Sequence, residues 1–213
     1  MSTPQKHLEA AAAAERETGR LEAFSDGVFA VAITLLALDL RVPTLADGSS
    51  PHALAASLAS QWPSYLAFVT SFFTVLTIWV NHRGILRLVR KPDPRLMFVN
   101  GYLLFMITTI PFATALVSAY IRQPAAKVAC AVYGGDFVLI SLGFSALWRC
   151  ISSDRAQLSK DASSEVIAKV TWSYNLGTPL YALATLGAFI SPYVTIFVCT
   201  GLWVFWSLRT RDF

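Results

Sequence analysis

The chain has 213 residues, 55% of them hydrophobic and only 14% charged, with a formal net charge of +4; its mean hydropathy is +0.53. A soluble domain carries about 25% charged residues, so this composition argues against a soluble enzyme and for an integral membrane protein, and it excludes a disordered chain. The three cysteines, Cys130, Cys150 and Cys199, lie in or beside apolar runs and form neither a disulfide framework nor a zinc spacing.

A membrane helix needs roughly 20 mostly apolar residues. Residues 1–20 are polar and charged, with an alanine tract at 10–14, and lack the apolar core of a signal peptide. They read as a cytoplasmic tail with helical character near Glu9–Arg16, preceding a membrane domain over 21–213. The first apolar run is Leu21–Leu40, which holds Glu22, Asp26 and Asp39. Residues 48–81 carry no Asp, Glu, Lys or Arg. That is longer than one crossing needs, so a short interfacial helix over His52–Trp62 is expected before a span over Pro63–His82. The third span is read at Leu96–Ile121 and the fourth at Ala125–Trp148, the latter interrupted by Lys127 and Asp136. Residues 170–208 are again free of charged side chains. As a single helix they would extend about 58 Å, nearly twice a hydrocarbon core of about 30 Å. A helix usually ends at or before the residue preceding proline, so Ser191-Pro192 divides the run into Thr171–Ile190 and Pro192–Leu208. The reading is an all-α membrane protein with six transmembrane helices.

The basic residues agree with that count. With both termini cytoplasmic, Lys6, Arg16, Arg20, Arg83, Arg87, Arg90, Lys91, Arg95, Arg149, Arg155, Lys160, Lys169, Arg209 and Arg211 fall inside, leaving Arg41, Arg122 and Lys127 outside. Cytoplasmic loops carry such an excess of Lys and Arg. The positive charge therefore follows topology, and no basic face interleaved with aromatics points to nucleic acid.

Polar residues within spans face a bundle interior or a water path. Asp26 lies six residues beyond Arg20, roughly 9 Å into the membrane. Asn81 and His82 close the second span on the same side, and Asn100 opens the third. Arg20, Ser25, Asp26, Asn81, His82 and Asn100 thus share a depth. Two readings attach to this layer: a proton relay or ion site, and a hydrogen-bonded cluster that fixes helix packing. Asp136, near mid-membrane, is expected either to line a water cavity or to pair with another buried group. Tyr133-Gly134-Gly135-Asp136 is not a potassium-channel filter, because its glycine order differs and no pore loop flanks it. Gly134 and Gly135 are expected instead to permit close helix approach.

On the first helix, Gly27, Val31, Thr34 and Leu38 fall at helical spacing on one stripe, flanked by Leu35. Ser25 and Asp26 point elsewhere. Ala23, Gly27 and Ala30 would let helices approach closely. The stripe suits either a face toward symmetry mates or routine bundle packing, with Thr34 bonded to the Ala30 carbonyl of its own helix.

Arg20, Phe24, Ser25 and Asp26 match the Arg-x-x-x-Phe-Ser-Asp signature of the transmembrane protein 175 family of potassium channels, and the continuation from Gly27 to Leu40 resembles that family's first helix. Trp79-Val80-Asn81-His82-Arg83 looks like the end of its second helix, and Asn100 with Pro111-Phe112 like its third. Eukaryotic members carry two six-span repeats; single-repeat members are prokaryotic and assemble as tetramers, and this chain resembles the latter. The resemblance implies a homotetramer whose four first helices line the pore, with hydrophobic constrictions and a threonine layer that aids selectivity. Carried onto this sequence, these are Val31, Leu38 and Thr34, with potassium held only transiently near Thr34 and no tight metal site. The Phe-Ser-Asp signature joins a hydrogen-bond network with neighbouring helices.

The expected function is passive potassium conduction across the cell membrane, with the lipid bilayer and potassium ions as partners and no cofactor. Asp39 and the inner carboxylates would concentrate cations at the two mouths. The rival reading is a proton-coupled secondary transporter using Asp26, His82 or Asp136, for which Pro111 and Pro179 mark possible helix breaks. An enzyme is disfavoured: no metal-ligand cluster, no Ser-His-acid set and no Gly-rich phosphate loop is found. No span holds an arginine repeat of the voltage-sensing kind.

Overall fold

The computed structural model describes residues 3–46, 50–153, 158–159 and 163–209. The basic positions Arg155, Lys160 and Arg211 lie outside them. Among the described residues all regular structure is helical, apart from one isolated antiparallel bridge between Val89 and Leu158. Seven α-helices follow in order: α1 Thr3–Leu35, α2 Pro51–Ser60, α3 Trp62–Leu86, α4 Pro94–Tyr120, α5 Ala126–Ser152, α6 Ser164–Ile190 and α7 Pro192–Arg209. A short 3-10 turn over Leu36–Asp39 extends α1.

The boundaries have local causes. Ser50, Asp93 and Ser163 cap α2, α4 and α6, accepting from the backbone N–H groups of Ala53, Leu96 and Val166 at 3.2, 2.7 and 3.2 Å. Pro51, Pro63, Pro94 and Pro192 stand in the first turn of their helices, where proline's missing N–H is not needed. Ser191 is extended, at φ −150° and ψ 133°, and separates α6 from α7 where the sequence predicts.

Among the described residues, four segments are long and apolar enough to cross a membrane: Ala12–Asp39, Trp62–Leu86, Pro94–Tyr120 and Ala126–Ser152. This is a multi-pass membrane protein. α6 has sufficient length at 27 residues, but its first half carries Ser164, Glu165, Lys169, Ser173 and Asn175. Pro192–Leu208 is apolar but shorter.

α5 is the hub of the bundle, packing on α4, α6 and α7, while α1 packs on α3 and α4. Gly134 on α5 shows how closely α5 and α6 meet. A Cβ there would stand 2.7 Å from Thr185 Oγ1 and 3.0 Å from Thr185 Cα. Gly135 faces open space, so the expectation of a close approach holds for Gly134 alone. The possible helix breaks at Pro111 and Pro179 are not taken: α4 and α6 run through both prolines, each of which removes one backbone hydrogen bond.

Candidate functional site: the two faces of the first helix

Leu21, Ser25, Phe29, Ala32 and Leu36 form the buried stripe of α1, each at 9% exposure or less. Their spacing of three and four residues is that of one helix face. The opposite face has no cover among the described residues. Ala23, Gly27, Ala30, Val31, Thr34 and Leu38 are all exposed, with Val31 at 56% and Leu38 at 75%. Leu35 flanks the stripe at 41%. A Cβ on Gly27 would meet nothing within 4 Å. The helix therefore carries two faces, one buried in the bundle and one exposed.

The Thr34 hydroxyl donates to the Val31 carbonyl at 2.9 Å. Under routine bundle packing the sequence reading places that bond on Ala30, one residue away. Thr108 and Thr109 on α4 make the same three-residue reach, to the Phe105 and Met106 carbonyls. Asp39 closes the turn, and its Oδ2 is buried without a hydrogen-bond partner.

The buried face of α1 is pinned by a chain of side-chain bonds. Ser25 donates to the Leu21 carbonyl at 2.8 Å. Asn100 Nδ2 on α4 donates to Ser25 Oγ at 3.1 Å, and His82 Nε2 on α3 meets Asn100 Oδ1 at 2.7 Å. The directions follow from counting hydrogens. Ser25 spends its only hydrogen on Leu21, so it must accept from Asn100. The Asn100 amide therefore turns its carbonyl to His82, and His82 carries its proton on Nε2. Ser25 is 0%, His82 1% and Asn100 1% exposed. Phe29 packs on the His82 ring at 5.3 Å between centroids.

Beside this chain, Trp79 donates its indole Nε1–H to Asp26 Oδ1 at 2.7 Å. The Arg83 guanidinium sits over the same indole, 5.2 Å from its centroid. The structure thus brings Ser25, Asp26, His82 and Asn100 together across α1, α3 and α4. Asn81 turns back to the Thr77 carbonyl of its own helix at 2.9 Å. Arg20 and Phe24 are exposed, Phe24 at 64%, and stand outside these bonds. Trp79 was not singled out from sequence as a partner of Asp26. Its signal was a donor-only indole placed one turn before His82 in a span, since such a group needs an acceptor when buried.

Asp136 lies apart. Its Oδ1 is 2.7 Å from Thr109 Oγ1 on α4, and its Oδ2 is buried without a partner. It lines an open groove between α4, α5 and α6 with Phe112, Val132, Leu139 and Leu186. No hydrogen bond among the described residues connects Asp136 to Asp26 or His82. With α4 and α6 unbroken, the helix interruptions that supported a midplane transport site are missing.

Residues 20–111 match the family described as endosomal/lysosomal potassium channel TMEM175. A potassium channel of Chamaesiphon minutus is 42% identical over 197 residues, spanning 92% of this chain and 97% of that protein. A potassium channel of Streptomyces collinus is 40% identical over 181 residues, 84% of this chain and 86% of that one. The crystal structure of a lysosomal potassium-selective channel TMEM175 homolog from Chamaesiphon minutus superposes with a TM-score of 0.82 at 42% identity, over 92% of this chain and 98% of that one. The chain therefore belongs to the TMEM175 family.

Proposed function

We propose that this member of the TMEM175 family is a potassium-selective channel of the cell membrane, conducting passively through the central pore of a homotetramer. Each subunit crosses the membrane six times with both termini cytoplasmic. The 18 residues of α7 span about 27 Å at 1.5 Å each, close to a hydrocarbon core of about 30 Å. The 27 residues of α6 exceed it.

The observation that carries the reading is the bare face of α1. A stripe with Val31 and Leu38 at 56% and 75% exposure lies opposite a buried stripe that is locked by hydrogen bonds to α3 and α4. Four such faces around an axis make rings of Val31 and Leu38, with Leu35 at their flank. Apolar rings resist wetting when narrow, which is one way to gate a pore. Between them, Thr34 offers a ring of hydroxyl oxygens whose own hydrogens are already given to Val31. Those oxygens replace part of an ion's hydration shell. Potassium releases water more easily than sodium, so the ring favours potassium, with weaker discrimination than a carbonyl-lined filter. Ser25, Asp26, His82 and Asn100, with Trp79, act as the frame that holds the pore helix to its own subunit.

The test is flux through purified protein in liposomes. Potassium flux above sodium flux, without dependence on a proton gradient, is the expected result. Strict dependence on a proton gradient would replace the channel by a coupled transporter.

A further inference from the structure

Away from the α1 face, a groove of about 550 Å³ opens on the outer side of the bundle. α5 forms its floor, with α4 and α6 as walls. Arg95 and Arg149 stand at one end, and Tyr102, Leu142, Asn175 and Thr178 line the rest. Among the described residues no acidic side chain lines it. Among the described residues neither arginine makes an ion pair, and both are exposed. Asp93, two residues before Arg95, is turned to the backbone N–H of Leu96 as the cap of α4.

The geometry has a direction. Arg95 opens α4 and Arg149 lies in the last turn of α5, so both guanidinium groups belong to one end of the bundle. From Arg149 to Leu142 the groove climbs seven residues along α5, about 10 Å. Over that distance its lining changes from cationic to apolar and hydroxyl-bearing. A free phosphate needs only the charged end. A molecule with an anionic head and a hydrocarbon tail uses the full length. Basic pockets between membrane helices on the cytoplasmic side suit lipid head groups, and arginine pairs with phosphate by parallel N–H donors.

We infer that this groove is a binding site for an anionic phospholipid of the inner leaflet, its phosphate held between Arg95 and Arg149 and an acyl chain laid along Leu142 and Tyr102. The inference rests on the topology proposed above, which puts this end at the cytoplasmic face.

The experiment is native mass spectrometry of the purified protein titrated with dioleoylphosphatidylglycerol, with dioleoylphosphatidylcholine and inorganic phosphate as separate arms. The phosphatidylglycerol should be retained in preference to phosphatidylcholine. Replacing both arginines (Arg95→Gln with Arg149→Gln) should weaken its binding about thirtyfold, at about fivefold per charge. Ala146→Trp, at an exposed position lining the groove, should block the lipid while both charges remain, which keeps the test open if the double variant folds poorly. Equal retention of the two lipids, unchanged binding in both variants, or displacement of the lipid by inorganic phosphate at matched concentration would overturn the assignment. Because binding is read without ion flux, a protein that binds the lipid but conducts no potassium would sink the channel reading and leave this site standing.

Discussion

Asp26 on α1 and Trp79 on α3 share a hydrogen bond of 2.7 Å, indole N–H to carboxylate, at the depth where Ser25, His82 and Asn100 join the same helices to α4. This pair orients the helix: with Asp26 held inward, the stripe from Gly27 to Leu38 has to face away. A hydrogen bond to a charged group contributes about 1.5–3 kcal/mol. Trp79→Phe keeps the ring's bulk and removes the donor, so it should lower stability by about that amount. Thermal unfolding in detergent measures it. Asp26→Asn keeps an acceptor toward Trp79 and should cost less than Asp26→Ala.

Asn100 is the middle of the three-member chain. Asn100→Leu strands both the His82 Nε2–H and the Ser25 acceptor in a dry core, whereas Ser25→Ala strands only one amide hydrogen. With about 1–3 kcal/mol for each buried polar group left without a partner, Asn100→Leu should be the more damaging of the two. Ranked melting temperatures would check this, and the reverse order would break the chain as drawn from Asn100 Oδ1 to His82 and from Nδ2 to Ser25.

Thr34 is exposed and bonds only its own helix, so Thr34→Ala should fold and melt like the native chain. Its effect should fall on ion choice: the potassium-to-sodium flux ratio in liposomes should drop while total flux persists. Val31→Ala and Leu38→Ala should widen the apolar rings and raise conductance. Wild-type flux and selectivity in all three variants would remove the pore from this face of α1.

Two neighbouring glycines give a packing test independent of function. Gly134→Ala places a Cβ 2.7 Å from Thr185 Oγ1 and 3.0 Å from Thr185 Cα, and the second contact is backbone that cannot swing aside. Overpacking of this kind costs about 1–3 kcal/mol. Gly135→Ala meets nothing within 4 Å and gains helix propensity, so its melting temperature should hold or rise slightly.

The helices were legible in the sequence because their boundaries are chemical. Pro63 lies in the first turn of α3 and Ser191-Pro192 cuts an apolar stretch too long for one crossing, as the sequence reading had them; the capped starts at Asp93 and Ser163 precede the spans read at Leu96 and Thr171, because hydropathy marks the stretch that crosses a membrane and not the end of a helix. The shared depth of Ser25, Asp26, His82 and Asn100 was legible too, since residue counts convert directly to height in a helix. Azimuth was not. Whether Asn81 or Trp79 turns toward α1 depends on the rotation of α3 about its axis, which hydropathy constrains weakly in a helix apolar on most sides. Pro111 and Pro179, read as possible breaks only for the transporter alternative, interrupt neither helix: each removes one backbone hydrogen bond and the turns on either side continue the helix. The Thr34 hydroxyl donates three residues back rather than four, as Thr108 and Thr109 do within α4, a choice between two side-chain rotamers that the sequence does not display.

α1 runs without interruption from Thr3 to Leu35, through the expected end of the tail at residue 20. At 1.5 Å per residue it is a rod of about 50 Å that contains no proline after Pro4 and therefore no built-in joint. Between those ends it is clamped at Ser25 by α4 and at Asp26 by α3, so the bare stripe from Gly27 to Leu38 takes its angular setting from the bundle and not from the polar turns that precede it.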